Sequence, residues 1–258
     1  MSPATISEAD GVRYLHLGTP WVQGAMRLRA PRAIELEYVR RMMAWMLLRP
    51  SGEVAEGHAV QLGLGAGAIT RCTHKVLRMR TTAVELNPTV IEAGRLWFQL
   101  PADDARLTVL QGDAGRWVAD PRHASSVQAL CVDLYDHEAA APVLDDDAFY
   151  AGCSRVLAAG GVLSVNLFGR DASFERSARR IAAAFGHRDD AQRVWTMQPT
   201  AEGNTVVLAL RGTGLPAKDE LALRAECIES RYGLPARKWL RMIRPLPPAL
   251  SPLVNPAA

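Results

Sequence analysis

Hydrophobic and polar positions in the middle of the chain follow two alternating patterns. Short apolar runs, typical of buried strands, end near Gly63, Leu86, Gly112, Tyr135 and Phe168. Four of the intervals between these runs predict helices, over residues 68–77, 88–100, 114–119 and 146–157. Asn87 followed by Pro88 is typical of a helix start, and Gly160-Gly161 predicts the end of the fourth helix.

Strands and helices that alternate in this way predict an α/β fold of the Rossmann-like, doubly wound type. The sheet is expected to be mostly parallel and to be covered by helices on both faces. Ligands bind such sheets at the carboxyl ends of the strands. Functional side chains are therefore expected where the apolar runs end.

The segments before and after this core follow other patterns. Residues 12–17 and 21–28 predict a small N-terminal β-hairpin, and residues 32–48 predict a helix. Later segments predict a helix over 172–185, an antiparallel strand pair over 193–198 and 204–211, and a helix over 218–232. We divide the chain into an N-terminal hairpin and helix (1–50), a Rossmann-like catalytic domain (51–215), and a C-terminal helix with a proline-rich tail (216–258).

Composition and charge narrow the class of protein. The 258 residues are 48% hydrophobic, and no apolar run reaches the roughly 20 residues that span a bilayer. The start of the chain lacks the order of a secretory signal, so we expect a cytoplasmic protein with no membrane partner. A net charge of +3 with dispersed arginines argues against a nucleic acid partner. The scattered cysteines predict no metal site; they are Cys72, Cys131, Cys153 and Cys227.

A glycine-rich stretch follows the first core strand and reads Gly63-Leu64-Gly65-Ala66-Gly67. Glycines let the backbone turn tightly and approach a ligand closely. Glu85 ends the next apolar run, about 20 residues further on, where a carboxylate can accept hydrogen bonds from ribose hydroxyls. The pair predicts a site for a nucleoside-type ligand.

Two carboxylates three residues apart, Asp133 and Asp136, follow the fourth core strand. Asp133 comes directly after the apolar run 127–132, where an unpaired carboxylate is costly to bury. We interpret both as facing the ligand crevice; the other interpretation is a loop of solvated acids. His137, next to Asp136, is interpreted as an exposed loop residue without a catalytic role.

Five motifs occur in order along the chain: Gly-x-Gly-x-Gly, Val-Glu-Leu-Asn-Pro, Gln-Gly-Asp-Ala, Val-Asp-x-x-Asp and Leu-Ala-Ala-Gly-Gly-Val-Leu. This order resembles the spermidine synthase family of polyamine aminopropyltransferases, which shares the Rossmann-like fold of S-adenosylmethionine-dependent methyltransferases. Trp21-Val22-Gln23 and Glu35-Leu36-Glu37-Tyr38 resemble the hairpin and the tyrosine-bearing segment before the core of that family. The resemblance covers about residues 13–211.

The resemblance implies transfer of an aminopropyl group from decarboxylated S-adenosylmethionine to an amine such as putrescine. It implies that Asp133 is the general base and that Asp136, Tyr38 and Gln23 bind the amine. The residues implied for the donor are Gly63, Gly65, Gly67, Glu85, Asp113 and Ala114. The donor is a co-substrate, so no tightly bound cofactor is expected. The resemblance also implies a homodimer.

Two of these residues keep a second interpretation. Tyr38 shares its predicted helix with apolar residues such as Val39 and Met42, so a packing role is as compatible with the sequence as a pocket role. Asp113 is also suited to cap the helix that begins near Ala114.

Three departures from the family pattern keep the activity open. Ala66 stands where the family usually has an aspartate that binds the free amine of the decarboxylated donor. Val39-Arg40 replaces a His-Glu pair, and His137-Glu138-Ala139-Ala140 replaces Pro-x-Gly-Pro. The alternatives are a methyltransferase that uses intact S-adenosylmethionine and a catalytically inactive nucleoside-binding homologue.

Overall fold

The computed structural model describes residues 1–134, 146–168, 172–186, 192–212 and 214–246. Its N-terminal part is an antiparallel sheet of β1 (Ala4–Ala9), β2 (Val12–Leu17) and β3 (Gly24–Arg27). The predicted hairpin of two strands is thus a three-stranded sheet, and β1 is the strand that the prediction missed. Asp10 and Gly11 join β1 to β2 with φ of 51° and 72°, which is the left-handed geometry that Asp-Gly turns favour.

A short helical segment links this sheet to the core. It consists of α1 (Glu37–Met42) and a 3-10 helix over Met43–Leu48. The helix therefore begins five residues later than the predicted start at Arg32. Trp45, Met46 and Leu47 are fully buried and belong to an apolar cluster on one face of the central sheet.

The central sheet contains parallel strands β4 (His58–Leu62), β5 (Arg80–Glu85), β6 (Leu107–Gln111), β7 (Val127–Val132) and β8 (Leu157–Phe168). Antiparallel strands β9 (Val194–Met197), β10 (Asn204–Leu210) and β11 (Ile243–Pro245) continue it beyond β8. Within the described residues the strand order is β11-β9-β10-β8-β7-β4-β5-β6. This confirms the predicted Rossmann-like α/β fold and its antiparallel ending.

Helices cover both faces of this sheet, as predicted. They are α2 (Ala68–Arg71), α3 (Pro88–Trp97), α4 (Ala114–Ala119), α5 (Asp147–Val156), α6 (Ala172–Phe185), α7 (Lys218–Tyr232) and α8 (Ala236–Leu240). A π-helical turn over Cys72–Val76 extends α2. The side chain of Asn87 accepts a hydrogen bond from the Thr89 amide, so it caps α3 as its position before proline predicts.

The prediction that Gly160-Gly161 ends the fourth helix is wrong. Helix α5 ends at Val156, and both glycines lie inside β8. A Cβ on Gly161 would lie only 2.8 Å from the carbonyl oxygen of Val127. Gly161 therefore allows the close approach of β8 to β7 at an irregularity in their pairing, whereas Gly160 has open space where a Cβ would lie and a left-handed φ of 71°.

The C-terminal segment contributes to the core rather than forming only a tail. Trp239 of α8 is fully buried, and β11 pairs with β9 at the edge of the sheet. Among the described residues, no helix is both long and apolar enough to cross a bilayer. That same part of the chain contains no group of three or more His, Cys, Asp or Glu side chains arranged to hold a metal ion.

Candidate functional site

The parallel strands end in a single row of residues at the carboxyl edge of the sheet. Leu62 of β4 pairs with Val132 of β7, and Val132 pairs with Val165 of β8. The ends of β5 and β6 are in register with the end of β4. The residues that directly follow Leu62, Val132 and Val165 therefore line up with the last residues of β5 and β6. The row across adjacent strands reads Gln111, Glu85, Gly63, Asp133 and Asn166.

Gly63 lets the ends of β4 and β7 come together. Its φ is 83°, and a Cβ at this position would lie 2.0 Å from the backbone oxygen of Asp133. The Asp133 amide donates a hydrogen bond of 2.9 Å to the Leu62 carbonyl. Any larger residue at position 63 would displace the backbone of Asp133.

Glu85 holds the glycine loop in place. Its carboxylate accepts hydrogen bonds of 2.8 Å from the backbone amides of Leu64 and Asn87. Burial raises the pKa of Glu85, and these backbone donors act in the opposite direction. Each carboxylate oxygen has more than one acceptor site, so the side chain retains capacity to accept hydrogen bonds from a ligand.

Asp133 is a partly buried carboxylate with two side-chain partners. Asn166 donates to its Oδ1 at 2.9 Å, and the Tyr38 hydroxyl donates to its Oδ2 at 3.3 Å. Burial raises the pKa of Asp133 to about 6, helped by the nearby negative charge of Glu85, while the two hydrogen bonds oppose the rise. Near neutral pH the carboxylate is therefore mostly ionised but readily protonated.

Asn166 and Asn204 also lie near Asp133, and neither is among the residues predicted from the sequence. Asn166 is 1% exposed, and its Oδ1 accepts a hydrogen bond of 3.2 Å from the Nδ2 of Asn204. A signal for Asn166 was present in the sequence, because it is a polar residue inside the apolar run of β8. Asn204 offered no such signal, since it begins a strand after a turn.

A narrow pocket lies between the glycine loop and the N-terminal sheet. The residues that line it include Gln23, Tyr38, Gly65, Ala66 and Asp133. The structure thus brings together the predicted general base and two of the residues predicted to bind the amine. Tyr38 contacts Asp133 and also packs against the main apolar cluster, and its role in binding the amine stays a prediction.

The N-terminal sheet packs directly on the glycine loop. A Cβ on Gly24 would lie 2.5 Å from the amide nitrogen of Ala66, so these two backbones are nearly in contact. Ala66 is 3% exposed and belongs to an apolar cluster with Leu15, Met26 and Leu64. Position 66 is therefore an apolar contact between the loop and β3.

A buried arginine anchors the same loop from behind. The Arg71 guanidinium donates to the backbone oxygens of Ala66 and Phe98, and to that of Pro31 at 3.3 Å. Burial lowers the pKa of Arg71 to about 10, so the side chain remains a cation at neutral pH. Arg71 is not among the residues predicted from the sequence, because two of its carbonyl partners, Pro31 and Phe98, are distant along the chain.

Asp113 lies at a second, open cavity of about 950 Å³. This cavity is lined by residues that include Val84, Leu86, Gln111, Asp113 and Trp117. The Asp113 carboxylate accepts a hydrogen bond of 2.7 Å from the Arg116 amide, so it caps α4. Ala114 is buried behind it. The capping interpretation of Asp113 is present in the structure, and a second acceptor oxygen remains at the cavity.

Asp136, the predicted partner of Asp133, and the neighbouring His137 lie outside the described residues.

Comparison with known proteins identifies relatives along most of the chain. A polyamine aminopropyltransferase of Neisseria meningitidis serogroup A is 30% identical over 237 residues, covering 91% of this chain and 86% of the relative. The protein of the same name from Chromobacterium violaceum is 29% identical over 246 residues, covering 95% and 90%. No protein-family model matches the chain.

Solved structures share the fold at low sequence identity. A probable spermidine synthase from Corynebacterium glutamicum aligns with a TM-score of 0.67 and 17% identity, over 90% of this chain and 85% of that one. Human methyltransferase-like protein 13, in complex with SAH, aligns with a TM-score of 0.63 and 19% identity, over 83% and 96%. A spermidine synthase in complex with the transition state analogue AdoDATO aligns with a TM-score of 0.57 and 18% identity, over 84% and 76%.

Proposed function

Because this chain belongs to the polyamine aminopropyltransferase family, we propose that Asp133 is the general base of an aminopropyl transfer to a small amine. The observation that carries the proposal is the placement of this carboxylate beside the glycine loop, with a pKa raised to about 6 by burial. A base with a pKa near the working pH accepts a proton efficiently and releases it again.

The chemistry requires such a group. An alkylamine with a pKa near that of lysine, about 10.4, is almost fully protonated at neutral pH and has no free electron pair for attack. The ionised Asp133 accepts the proton, and the nitrogen then forms a bond to the carbon beside the sulfonium. The carbon–sulfur bond breaks, its electron pair stays on sulfur, and the donor leaves as a neutral thioether.

The donor in this proposal is an S-adenosylmethionine-like nucleoside. Its fit is supported by Glu85, whose carboxylate sits at the turn of the loop with capacity for ribose hydroxyls. The cavity beside Val84, Leu86 and Trp117 has apolar walls suited to a nucleobase, and Asp113 offers an acceptor for an amino group. The related solved structures were obtained with SAH and with AdoDATO, which supports the same class of ligand.

We further propose that the donor is decarboxylated S-adenosylmethionine and that the acceptor is a putrescine-like amine. We also propose that the protein works as a homodimer in the cytoplasm. Asp136, Tyr38 and Gln23 are the proposed amine-binding residues. The proposal is supported by Tyr38 and Gln23, which line the same pocket as Asp133. Light scattering of the purified protein tests the dimer.

Product formation tests the proposed activity. The protein is incubated with decarboxylated S-adenosylmethionine and a panel of diamines, and methylthioadenosine and the new polyamine are measured by chromatography. Parallel reactions with intact S-adenosylmethionine measure methyl transfer. We expect equal amounts of methylthioadenosine and polyamine. Methylated product alone would instead assign a methyltransferase, and donor binding without any product would assign an inactive homologue.

Replacement of Asp133 tests whether this residue is the general base of the reaction. We expect Asp133→Asn to lower kcat about 10²–10⁴-fold, because an amide cannot accept the proton. Glu175→Gln is the matched control, since it makes the same type of change at an exposed ion pair with Arg179 on α6. Methyl transfer is expected to tolerate Asp133→Asn, so retained turnover in this variant would contradict the proposed role.

A further inference from the structure

Two buried amides connect the proposed base to the antiparallel part of the sheet. Asn204 Nδ2 donates to Asn166 Oδ1 at 3.2 Å, and Asn166 Nδ2 donates to Asp133 Oδ1 at 2.9 Å. Asn166 lies opposite Val206 on β10, so Asn204 is its diagonal neighbour on the same face of the sheet. The chain of hydrogen bonds therefore follows from strand register.

The donor-to-acceptor direction of these two hydrogen bonds is determined by the Asp133 carboxylate and by Asn204. An ionised carboxylate only accepts hydrogen bonds, so Asn166 must point its NH2 group at Asp133 and its oxygen away. The oxygen of a buried amide needs a donor, and Asn204 supplies one. The Asn204 donor therefore favours the same orientation of the Asn166 amide as the Asp133 carboxylate does, with the NH2 group directed at Asp133.

The backbone of Asn204 is itself held in place. Its amide donates to Thr200 Oγ1 at 3.2 Å, and its carbonyl accepts from the Thr200 amide at 2.8 Å. Thr200 is 4% exposed and Asn204 is 9% exposed, so solvent competes little for these bonds. The turn between β9 and β10 thus presents the Asn204 side chain at a set position.

We propose that Asn166 and Asn204 are positioning residues for the proposed reaction: Asn204 holds the Asn166 amide in the orientation that keeps Asp133 ionised and directed at the amine. The inference rests on the proposed function for its catalytic meaning. The hydrogen-bond relay itself is a property of the ligand-free protein and can be measured without turnover.

Among the described residues, three other groups near Asp133 bear on its ionisation. Tyr38, on α1, donates a hydrogen bond to it and stabilises its charge. Glu85, at the end of β5, is a negative charge that disfavours ionisation of Asp133. Cys131, on the same strand as Asp133, is a neutral thiol because burial raises its pKa far above neutrality. Variants of the two asparagines leave all three groups unchanged.

The test is a double-mutant cycle of Asn166→Leu, Asn204→Leu and the combined variant. Leucine approximates the shape of asparagine without its polar atoms, so the combined variant leaves no amide of the pair unsatisfied. The first measurement is the pKa of the Asp133 carboxyl by carbon-13 NMR of aspartate-labelled, ligand-free protein. Its resonance is assigned by its loss in Asp133→Asn.

We expect Asn166→Leu to raise the pKa of Asp133 by about one unit, since a hydrogen bond to the charged form is lost. Asn204→Leu should raise it in the same direction by a smaller amount. In the combined variant the pKa should equal that of Asn166→Leu alone, because Asn204 acts through Asn166. An unchanged pKa in Asn204→Leu, or shifts that simply add in the combined variant, would overturn the proposal.

The second measurement is the pH dependence of kcat/KM. A rise of one pKa unit reduces the ionised fraction of Asp133 about tenfold at pH values below both pKa values. The acidic limb of the profile should therefore move to higher pH, with activity recovered at alkaline pH. The acceptor amine titrates identically in every variant, so the displacement of this limb belongs to the protein.

Thr205→Val is the matched control. Thr205 is buried next to Asn204 on β10, and alternation along the strand points it to the other face. A general loosening of β10 would change stability in this variant as well, whereas the pKa of Asp133 and the pH profile should not change. If every variant and the parent chain form no product, the proposed function fails, while the NMR cycle still decides whether the relay exists.

Discussion

At the scale of single residues, the site depends on a carboxylate whose ionised form is disfavoured by burial. Asp133 follows a largely buried strand, and burial raises its pKa even though Tyr38 and Asn166 donate hydrogen bonds to its ionised form. Desolvation therefore outweighs two hydrogen bonds here. A base with this pKa is useful for proton transfer, and its burial is a cost to folding.

This cost leads to a stability prediction for Asp133→Asn. The variant removes a carboxyl group whose pKa rises from about 3.9 in unfolded chains to about 6 in the fold. We expect the free energy of unfolding at neutral pH to increase by about 1–2 kcal/mol while activity is lost. Urea denaturation at pH 7 measures the change. Unchanged or reduced stability would show that the carboxylate is not strained by burial.

At position 66, the packing around the side chain determines whether a carboxylate can be accommodated. The family usually has aspartate there, but in this chain Gly24 of β3 lies against Ala66, which is buried among apolar side chains. We expect Ala66→Asp to lower the free energy of unfolding by about 2–4 kcal/mol, because it buries an unpaired carboxylate. Urea denaturation measures this loss, with Ala66→Ser as the milder control.

The same surroundings predict weak discrimination between donors. Because position 66 supplies no carboxylate, the free amine of the donor gains no ion pair from the loop. We expect decarboxylated and intact S-adenosylmethionine to bind with dissociation constants within about tenfold of each other, which corresponds to 1.4 kcal/mol. Calorimetric titration with each donor provides the comparison, and a clear preference for the decarboxylated form would assign the amine contact to another residue.

At the scale of elements, the ends of strands and the starts of helices determine the site. Gly63 allows β4 and β7 to meet, Glu85 ends β5, and Asp113 joins β6 to α4. Each of these positions combines a structural and a proposed functional role. Substitutions that preserve the structural role are needed to measure the functional one.

Asp113 permits this separation. Asparagine caps helices as well as aspartate does, whereas loss of a cap costs about 1 kcal/mol. We expect Asp113→Ala to reduce stability and donor affinity together. Asp113→Asn should retain stability but bind the donor more weakly, because its second side-chain atom is a donor rather than an acceptor. Donor affinity equal to that of the parent chain in Asp113→Asn would restrict Asp113 to capping.

At the scale of the whole molecule, buried histidines link stability to pH. His58 of β4 is 6% exposed, and its Nε2 lies 2.9 Å from the Thr82 hydroxyl oxygen. Burial lowers the pKa of His58 to about 4, with contributions from the charges of Arg80 and His123. Burial also lowers the pKa of His74, against the opposing effect of Asp104. Both side chains are thus neutral in the fold at pH values where an unfolded chain protonates them.

The sign of the pH effect follows from these shifts. Unfolded histidine binds a proton below about pH 6.5, while His58 in the fold binds one only near pH 4. The free energy of unfolding should therefore fall as pH decreases from about 6.5 to 4, by about 2–3 kcal/mol for His58. Asp133 has the opposite effect between about pH 6 and 4, since its folded pKa is raised. Urea denaturation across this range should show a smaller loss in His58→Gln and a larger one in Asp133→Asn.

Much of the architecture was determined by the sequence alone. Runs of apolar residues that end in glycine or acid identify the parallel strands, and their alternation with helical periodicity defines the fold class. The positions of Glu85 and Asp133 at strand ends were determined in the same way, because side chains at the carboxyl edge of a parallel sheet meet there regardless of detail. Local patterns suffice when the interaction is local or is repeated throughout the sheet.

Only the tertiary structure decided the contacts between distant segments. The relay from Asn204 to Asp133 depends on the register of β8 and β10, and the apolar contact at Ala66 depends on where β3 packs. Likewise, Gly160-Gly161 suits a helix end by local pattern, yet the approach of β8 to β7 places both residues in a strand. These features arise because pairing and packing join residues far apart in the chain, and no local pattern encodes which partner each one meets.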